Sequence, residues 1–498
     1  MSIFKYQHKV ELIIFTAFSF LLALYLVENF MPAEDASILF RYSENLADTG
    51  IISYNINGNP TEGATDFLWM ILLSVLYFFG LNTYFASILI NLLSLYLILN
   101  IIREHYSLSK IETYGLFLLH FSISHTYAAL GGFSVLFVEL FLVLIVVNFI
   151  KKNVFNTLLF SFIGCLIRPD FILFIIIPNI INLLENFNFK HIRYFILFLL
   201  LGLIYFYSRY IYFDLFLPLP FYIKNQWSFL NNLEWGRQII ILSPAFLILF
   251  FTNFRKVFKK TVLTIMSIAA FATAYYTNQI LYQNIGYRFY FYFPVLLIFI
   301  IYEIQIDMNN GKKVAKNIIL IISCLSIIIN FSQKFNSFSF VSKKADIYTF
   351  AKELNNIDKG VRLSLATTEA GLLPYYSKIN TVDLFGLNTK EFAKKPADGF
   401  ILLKNNFDII VINSSMTGNS CNSLKEVLDE SKNLNVKGAN RSDNWIEFVF
   451  KLLYGIDIAK YDSYLFSYPK NIFINKNSDA YEKISNSLKK TKASKCNF

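Results

Sequence analysis

A chain of 498 residues with 55% hydrophobic side chains, 54 phenylalanines and only 16% charged residues does not have the composition of a water-soluble protein. A polytopic membrane protein is the class it points to. The net charge of +11 requires no nucleic acid, because much of the basic excess falls in short clusters between apolar segments, as the positive-inside rule produces.

In chain order, Lys5 and Lys9 precede an apolar run over residues 10–30, and no small-residue cleavage site follows. This is therefore a retained first span rather than a signal peptide. Residues 31–69 form the longest polar interruption in the first 200 residues. They open on the adjacent carboxylates Glu34 and Asp35 and continue as a short amphipathic helix in which Ile38, Tyr42 and Leu46 recur at every fourth position. A turn-rich loop with Gly50, Asn55, Asn57, Gly58, Asn59 and Pro60 comes next, and residues 67–79 are apolar but barely long enough to cross a bilayer. Two acids just outside a first span, ahead of a surface helix, stand where a membrane-embedded enzyme would place a catalytic base. The competing role for Asp35 is to cap a helix beginning at Ala36.

Taking basic clusters as cytoplasmic markers puts Lys5 and Lys9 inside, the first loop (31–83) outside and the cluster at 103–110 inside, which leaves one crossing between 62 and 103. Residues 67–79 are thus expected as a short external or half-buried helix, and 84–102 as the second span. Spans near 113–131, 134–150, 154–168, 170–186, 192–211, 238–254, 261–281, 287–303 and 317–333 bring the count to about eleven, with a cytoplasmic N-terminus and an external C-terminus. Arg41, Arg168, Arg209, Arg237 and Arg288, with Lys224, then lie outside or at the outer membrane edge, where a charge is costly unless paired. Lipid headgroups would account for them, and so would a phosphate-bearing lipid substrate. Arg168-Pro169-Asp170 reads as a span boundary. His120 and His125, five apart, do not form a ligand pattern, and a core role is expected of them. No phosphate-cradling Gly-rich loop and no Gly-Lys-Ser/Thr element is present, which argues against nucleotide hydrolysis.

Beyond residue 334 Lys, Asn, Ser and Asp rise and short apolar runs replace long ones, at 361–366, 379–384, 407–412 and 445–452. These have strand length and alternate with helical stretches at 347–354 and 424–434, so residues 334–498 read as a soluble α/β domain outside the 1–333 membrane domain. The lysine-rich tail is expected to be loose. Cys421 and Cys496 lie in this region and would be able to pair in an oxidising compartment, whereas Cys165 and Cys324 fall inside apolar segments.

Four stretches, in the same order along the chain, resemble the GT-C glycosyltransferases that use polyprenyl-phosphate sugars, in particular the branch with the bacterial arabinofuranosyltransferases: EDASILFRYSENLADTGIISYN with PTEGATDFLW in 34–69, LIRPD at 166–170, RYIYFDLFLPLPFYIK at 209–224, and AGLLPYYSKINTVDLFGLN at 370–388. The chain departs from the family at Gly131-Gly132-Phe133-Ser134, which lacks an acid often present there, and at Thr65-Asp66, where Thr-Asn is common. The resemblance implies a GT-C membrane fold with external juxtamembrane helices, in a bacterial inner membrane with the active site and C-terminal domain on the periplasmic side. It aligns Asp35 with the catalytic aspartate, with Glu34 sharing the site, binding the acceptor or solvated. It places Arg168 and Asp170 as structural or substrate-lining residues, turns Tyr212, Asp214 and Lys224 toward the cavity, and offers Arg209, Lys224 and Arg288 as donor-phosphate contacts, with Arg41 among the substrate-binding residues.

An inverting glycosyltransferase follows, moving a sugar from a polyprenyl-phosphate donor to a glycan, glycolipid or protein acceptor without a certain metal or other cofactor. The alternative is a transporter or flippase of lipid-linked saccharides. Transporters usually carry mid-span charges and related halves; this sequence has no internal repeat and no cluster of mid-span acids.

Overall fold

The computed structural model describes residues 6–122, 124–185, 188–223, 259–277, 285–305, 341–413, 420–433, 445–466, 471–491 and 493–496. Its N-terminal part is helical: α1 (Tyr6–Asn29), α2 (Glu34–Thr49), α3 (Phe67–Phe78), α4 (Thr83–Tyr106), α5 (Lys110–Ser122), α6 (Ser124–Leu130), α7 (Val135–Ile150), α8 (Val154–Ile167), α9 (Ile172–Glu185), α10 (Phe189–Phe213), α11 (Leu219–Ile223), α12 (Lys260–Thr277) and α13 (Tyr292–Gln305). Among the described residues, the segments Val10–Asn29, Thr83–Tyr106, Phe189–Phe213 and Ile285–Ile304 are long and apolar enough to cross a membrane. The expected spans 238–254 and 317–333 lie outside the described residues, as does Lys224.

Helix is the form these Phe-, Ile- and Leu-rich segments take because a chain in hydrocarbon must satisfy its own backbone groups. Leu199, Leu203, Tyr207 and Ile211 make a bare apolar stripe on α10, which water would not solvate and lipid does. By contrast α3 is about 18 Å long, too short to cross, and packs against α2, α4 and α8. Inside the bundle, His120 and His125 turn their Nε2 atoms to Glu139 at 3.1 and 3.3 Å, a fully buried tie between α5, α6 and α7.

The segment α2 is buried on its polar side as well as its apolar one. It sits on the turn after α6, where Gly132 has φ +106° and a side chain would collide with Phe40 and Ala36. Its other side meets the C-terminal domain, so the helix is sandwiched rather than solvated.

That domain carries a mixed six-stranded sheet in the order β2-β1-β3-β5-β4-β6. β1 (Ser364–Thr367) is parallel to β2 (Asn380–Asp383) and β3 (Ile409–Ile412), while β5 (Asn471–Asn475), β4 (Tyr461–Leu465) and β6 (Ser494–Cys496) continue it antiparallel. One face packs on Phe350, Leu354 and Ile484, the other on Leu424, Leu428, Phe448 and Leu452. The run at 445–452 is helix (Trp445–Tyr454), not strand: its buried Phe448, Val449, Leu452 and Leu453 repeat with helical rather than alternating spacing. The tail is not loose either, since β6 pairs with β4 and a Cys421–Cys496 disulfide, Cα atoms 5.3 Å apart, ties it to the helix Cys421–Asn433.

Charged side chains join this domain to the membrane part. Arg41, buried, donates to the carbonyls of Tyr54 (2.6 Å), Pro374 (2.6 Å) and Ile379 (2.7 Å) and to Asn55 Oδ1 (3.0 Å). Glu44 accepts from Tyr375 Oη at 2.7 Å and Lys378 Nζ at 2.5 Å. Glu34 accepts from the amides of Gly371 (2.6 Å) and Leu372 (3.0 Å), where Gly371 leaves no room for a side chain.

Candidate active site

Asp35 is the second residue of α2, whose N-cap is Ala33 and carries no side-chain cap bond. Asp35 is thus not the N-cap residue of this helix. Its side chain instead lines a cavity of about 200 Å³ walled by α2, the 63–66 loop, α3, the turn after α6, the 168–170 turn, α11, α12 and the 384–388 loop of the C-terminal domain.

Arg288 Nη2 donates to Asp35 Oδ2 at 2.7 Å, with the two side chains 8% and 19% exposed. The chain delivers Arg288 through consecutive left-handed residues, Gly286 (φ 59°) and Tyr287 (φ 54°). At a non-glycine residue such a conformation costs about 1–3 kcal/mol. The guanidinium lies over the Phe133 ring, 3.9 Å from its centroid. Its Nη1 is buried and has no hydrogen-bond partner among the described residues.

On another wall Arg168 makes a two-pronged pair with Asp170, Nε to Oδ1 at 3.0 Å and Nη2 to Oδ2 at 2.6 Å. Pro169 breaks the helical path after α8, so both side chains turn to the same side. Tyr276 Oη donates to Asp170 Oδ2 at 2.7 Å. Asp66, Trp69, Phe133, Tyr275 and Phe289 complete a wall of aromatic faces and carboxylates.

The roof comes from the C-terminal domain. Asp383, fully buried, accepts from the amides of Phe385, Gly386 and Asn388 and from Asn388 Nδ2, which fixes the 384–388 turn and sets Leu387 against the cavity. Gly63 lies so close beneath that a side chain would strike Asn388 Oδ1 and the Leu387 carbonyl.

Of the residues singled out in the sequence, Asp35, Arg168, Asp170 and Arg288 therefore come together on this cavity. Glu34 is not among its lining residues and faces the 371–372 amides; burial and the nearby Glu369 push its carboxyl up to about 8. Arg41 is used up in the domain tie. Arg209 is buried in an ion pair with Glu62 and donates to the Phe216 carbonyl at 3.0 Å, away from the cavity. Tyr212 and Asp214 line a separate open cleft of about 670 Å³, Tyr212 accepting from the Ile52 amide and Asp214 paired with Lys390. Asp66 and Trp69 also line the cavity, and Ser134 donates to Asp66; in sequence an acid directly before an apolar helix looks like an ordinary cap. Among the described residues no group of three or more His, Cys, Asp or Glu side chains could hold a metal ion.

A helical membrane bundle whose first loop, with a small C-terminal domain above it, encloses an acid- and arginine-lined cavity defines the class of fold. That fold is shared with ArnT from Cupriavidus metallidurans. The crystal structure of its apo state matches at a TM-score of 0.54 and that bound to undecaprenyl phosphate at 0.55, each 12% identical over 82% of this chain and 94% of the other. Residues 348–464 match a domain of unknown function, DUF8728. No curated protein matches the chain.

Proposed function

We propose that the chain is an inverting membrane glycosyltransferase that moves a sugar from a polyprenyl-phosphate donor to a cell-surface acceptor, with arabinofuranose the donor sugar its motifs favour. The observation that carries the proposal is the Asp35–Arg288 pair in the wall of the cavity. It puts a carboxylate able to take a proton beside a cation with a further buried N–H group to offer. In the reaction the acceptor oxygen attacks the anomeric carbon and the bond from that carbon to the phosphate oxygen breaks. The acceptor's proton passes to Asp35, and the polyprenyl phosphate leaves with the electron pair. Attack opposite the leaving phosphate inverts the anomeric centre. Phosphate is already a good leaving group, so the site needs one base and matched positive charge rather than a covalent nucleophile. Arg288 supplies that charge through hydrogen bonds to the phosphate oxygens. The fold supports the donor class, since ArnT is crystallised with undecaprenyl phosphate.

The test is transfer of labelled sugar from a polyprenyl-phosphate donor to an envelope glycan extract by the detergent-purified chain. Detergent has no compartments, so product formed there cannot come from transport. Translocation of the labelled lipid in vesicles without any transfer in detergent would favour the transporter.

A further inference from the structure

We propose that Asp66 is a second ligand-facing carboxylate of this cavity, accepting hydrogen bonds from hydroxyls of the sugar being transferred; the proposal rests on the donor class above. Three carboxylates line the cavity. Asp35 is paired with Arg288, and Asp170 with Arg168. Asp66 has no ion-pair partner among the described residues, though Arg168 is close enough to interact with it through space. Its Oδ1 accepts from Thr65 Oγ1 at 2.9 Å and its Oδ2 from the Ser134 hydroxyl. A carboxylate offers about four acceptor sites, so roughly two remain.

The placement is unusual for a structural residue. Asp66 is the N-cap of α3, where aspartate ordinarily accepts from an amide of the first turn, yet its side chain makes no such bond. Ser134 is the N-cap of α7 and also forgoes its cap. The two bond each other beside the cavity instead, each giving up a local stabilisation that the helix ends would reward.

One turn further along α3, Trp69 is fully buried and lines the same cavity, and its Nε1–H has no acceptor among the described residues. A phosphate brings acceptors only and would have no use for Asp66. A polyhydroxyl ring brings both donors and acceptors, matching a carboxylate with spare capacity beside an indole N–H without a partner. The aromatic walls fit its apolar faces.

The experiment measures binding to the purified full-length chain of undecaprenyl phosphate alone and of a panel of undecaprenyl-phosphate-linked pentoses and hexoses. The wild type is expected to prefer at least one sugar-bearing lipid. Asp66→Asn is expected to lose about 10- to 100-fold of that preference, while its affinity for bare undecaprenyl phosphate is unchanged or slightly higher. Ser134→Ala, which keeps the carboxylate but loosens it, is the second variant and is expected to lose part of the preference. Equal weakening toward bare and loaded lipid in both variants would make Asp66 structural and overturn the proposal. No sugar preference in the wild type, or an unaltered one in both variants, would overturn it too. Failure of the wild type to bind bare undecaprenyl phosphate contradicts the donor class itself, a different outcome from a lost sugar preference.

Discussion

Replacing Arg41 by Met keeps the unbranched stem of the side chain and removes the guanidinium with its donors. In the native structure two of the acceptors, the carbonyls of Pro374 and Ile379, belong to the C-terminal domain and are reached at 2.6 and 2.7 Å. Each carbonyl keeps a second donor, the Lys378 amide on Pro374 at 3.0 Å and Thr381 Oγ1 on Ile379 at 2.9 Å. What is lost is therefore two hydrogen bonds to a charged group, about 1.5–3 kcal/mol each, and domain docking should weaken by about 3–6 kcal/mol. The carbonyl of Tyr54, within the first loop, adds a further loss. Hydrogen exchange of residues 372–381 in the detergent-purified protein reads the docking, and thermal unfolding reads the whole. Faster exchange there with a lower melting temperature is the expected result. Unchanged exchange and melting, together with lost affinity for undecaprenyl phosphate, would refute the structural assignment and make Arg41 a ligand group.

Arg209→Met should destabilise the fold by leaving Glu62 buried and unpaired, about 3–5 kcal/mol, yet leave undecaprenyl phosphate affinity of the folded fraction unchanged; Arg288→Gln should cut that affinity about 10- to 150-fold, and isothermal titration of both variants checks the contrast. Glu34 has a folded-state pKa raised from 4.5 to about 8, so the folded chain binds this proton more tightly than the unfolded chain. Its stabilising contribution is complete below about 4.5 and is lost as pH rises toward 8; a falling melting temperature across that window, flattened in Glu34→Gln, is expected. After reduction of the Cys421–Cys496 bridge, a membrane-impermeant thiol reagent should label Cys421 in intact cells, and labelling confined to inverted vesicles would put the C-terminal domain in the cytoplasm.

What the sequence discloses here is what local physics dictates. The short helix before α4 was legible because residues 67–79 lack the length of a span, and α3 has that length. The mixed sheet was half legible: the apolar runs of β1, β2 and β3 stand out, whereas β4, Tyr461–Leu465, alternates too little to announce itself and β6 is held by a strand partner and a disulfide far away in sequence. Arginines at a membrane edge invite a ligand in sequence because their partners are invisible. Arg41 finds its acceptors at Pro374 and Ile379, and Arg209 its carboxylate at Glu62, through contacts that only the fold creates. The cavity itself was legible at Asp35, whose position after the first span is a local fact. Asp66 was hidden because nothing in its neighbours says that it abandons its helix cap for Ser134.

If Asp35 takes the acceptor's proton, Asp35→Asn removes the base while keeping the shape of the side chain. The N-cap of α2 is Ala33, so the substitution leaves the cap residue in place. Sugar transfer from purified lipid-linked donor is measured in wild type and variant, with undecaprenyl phosphate binding and thermal stability alongside. Turnover is expected to fall by about two to four orders of magnitude, with folding and lipid binding retained. Near-normal turnover in Asp35→Asn would contradict that role for Asp35.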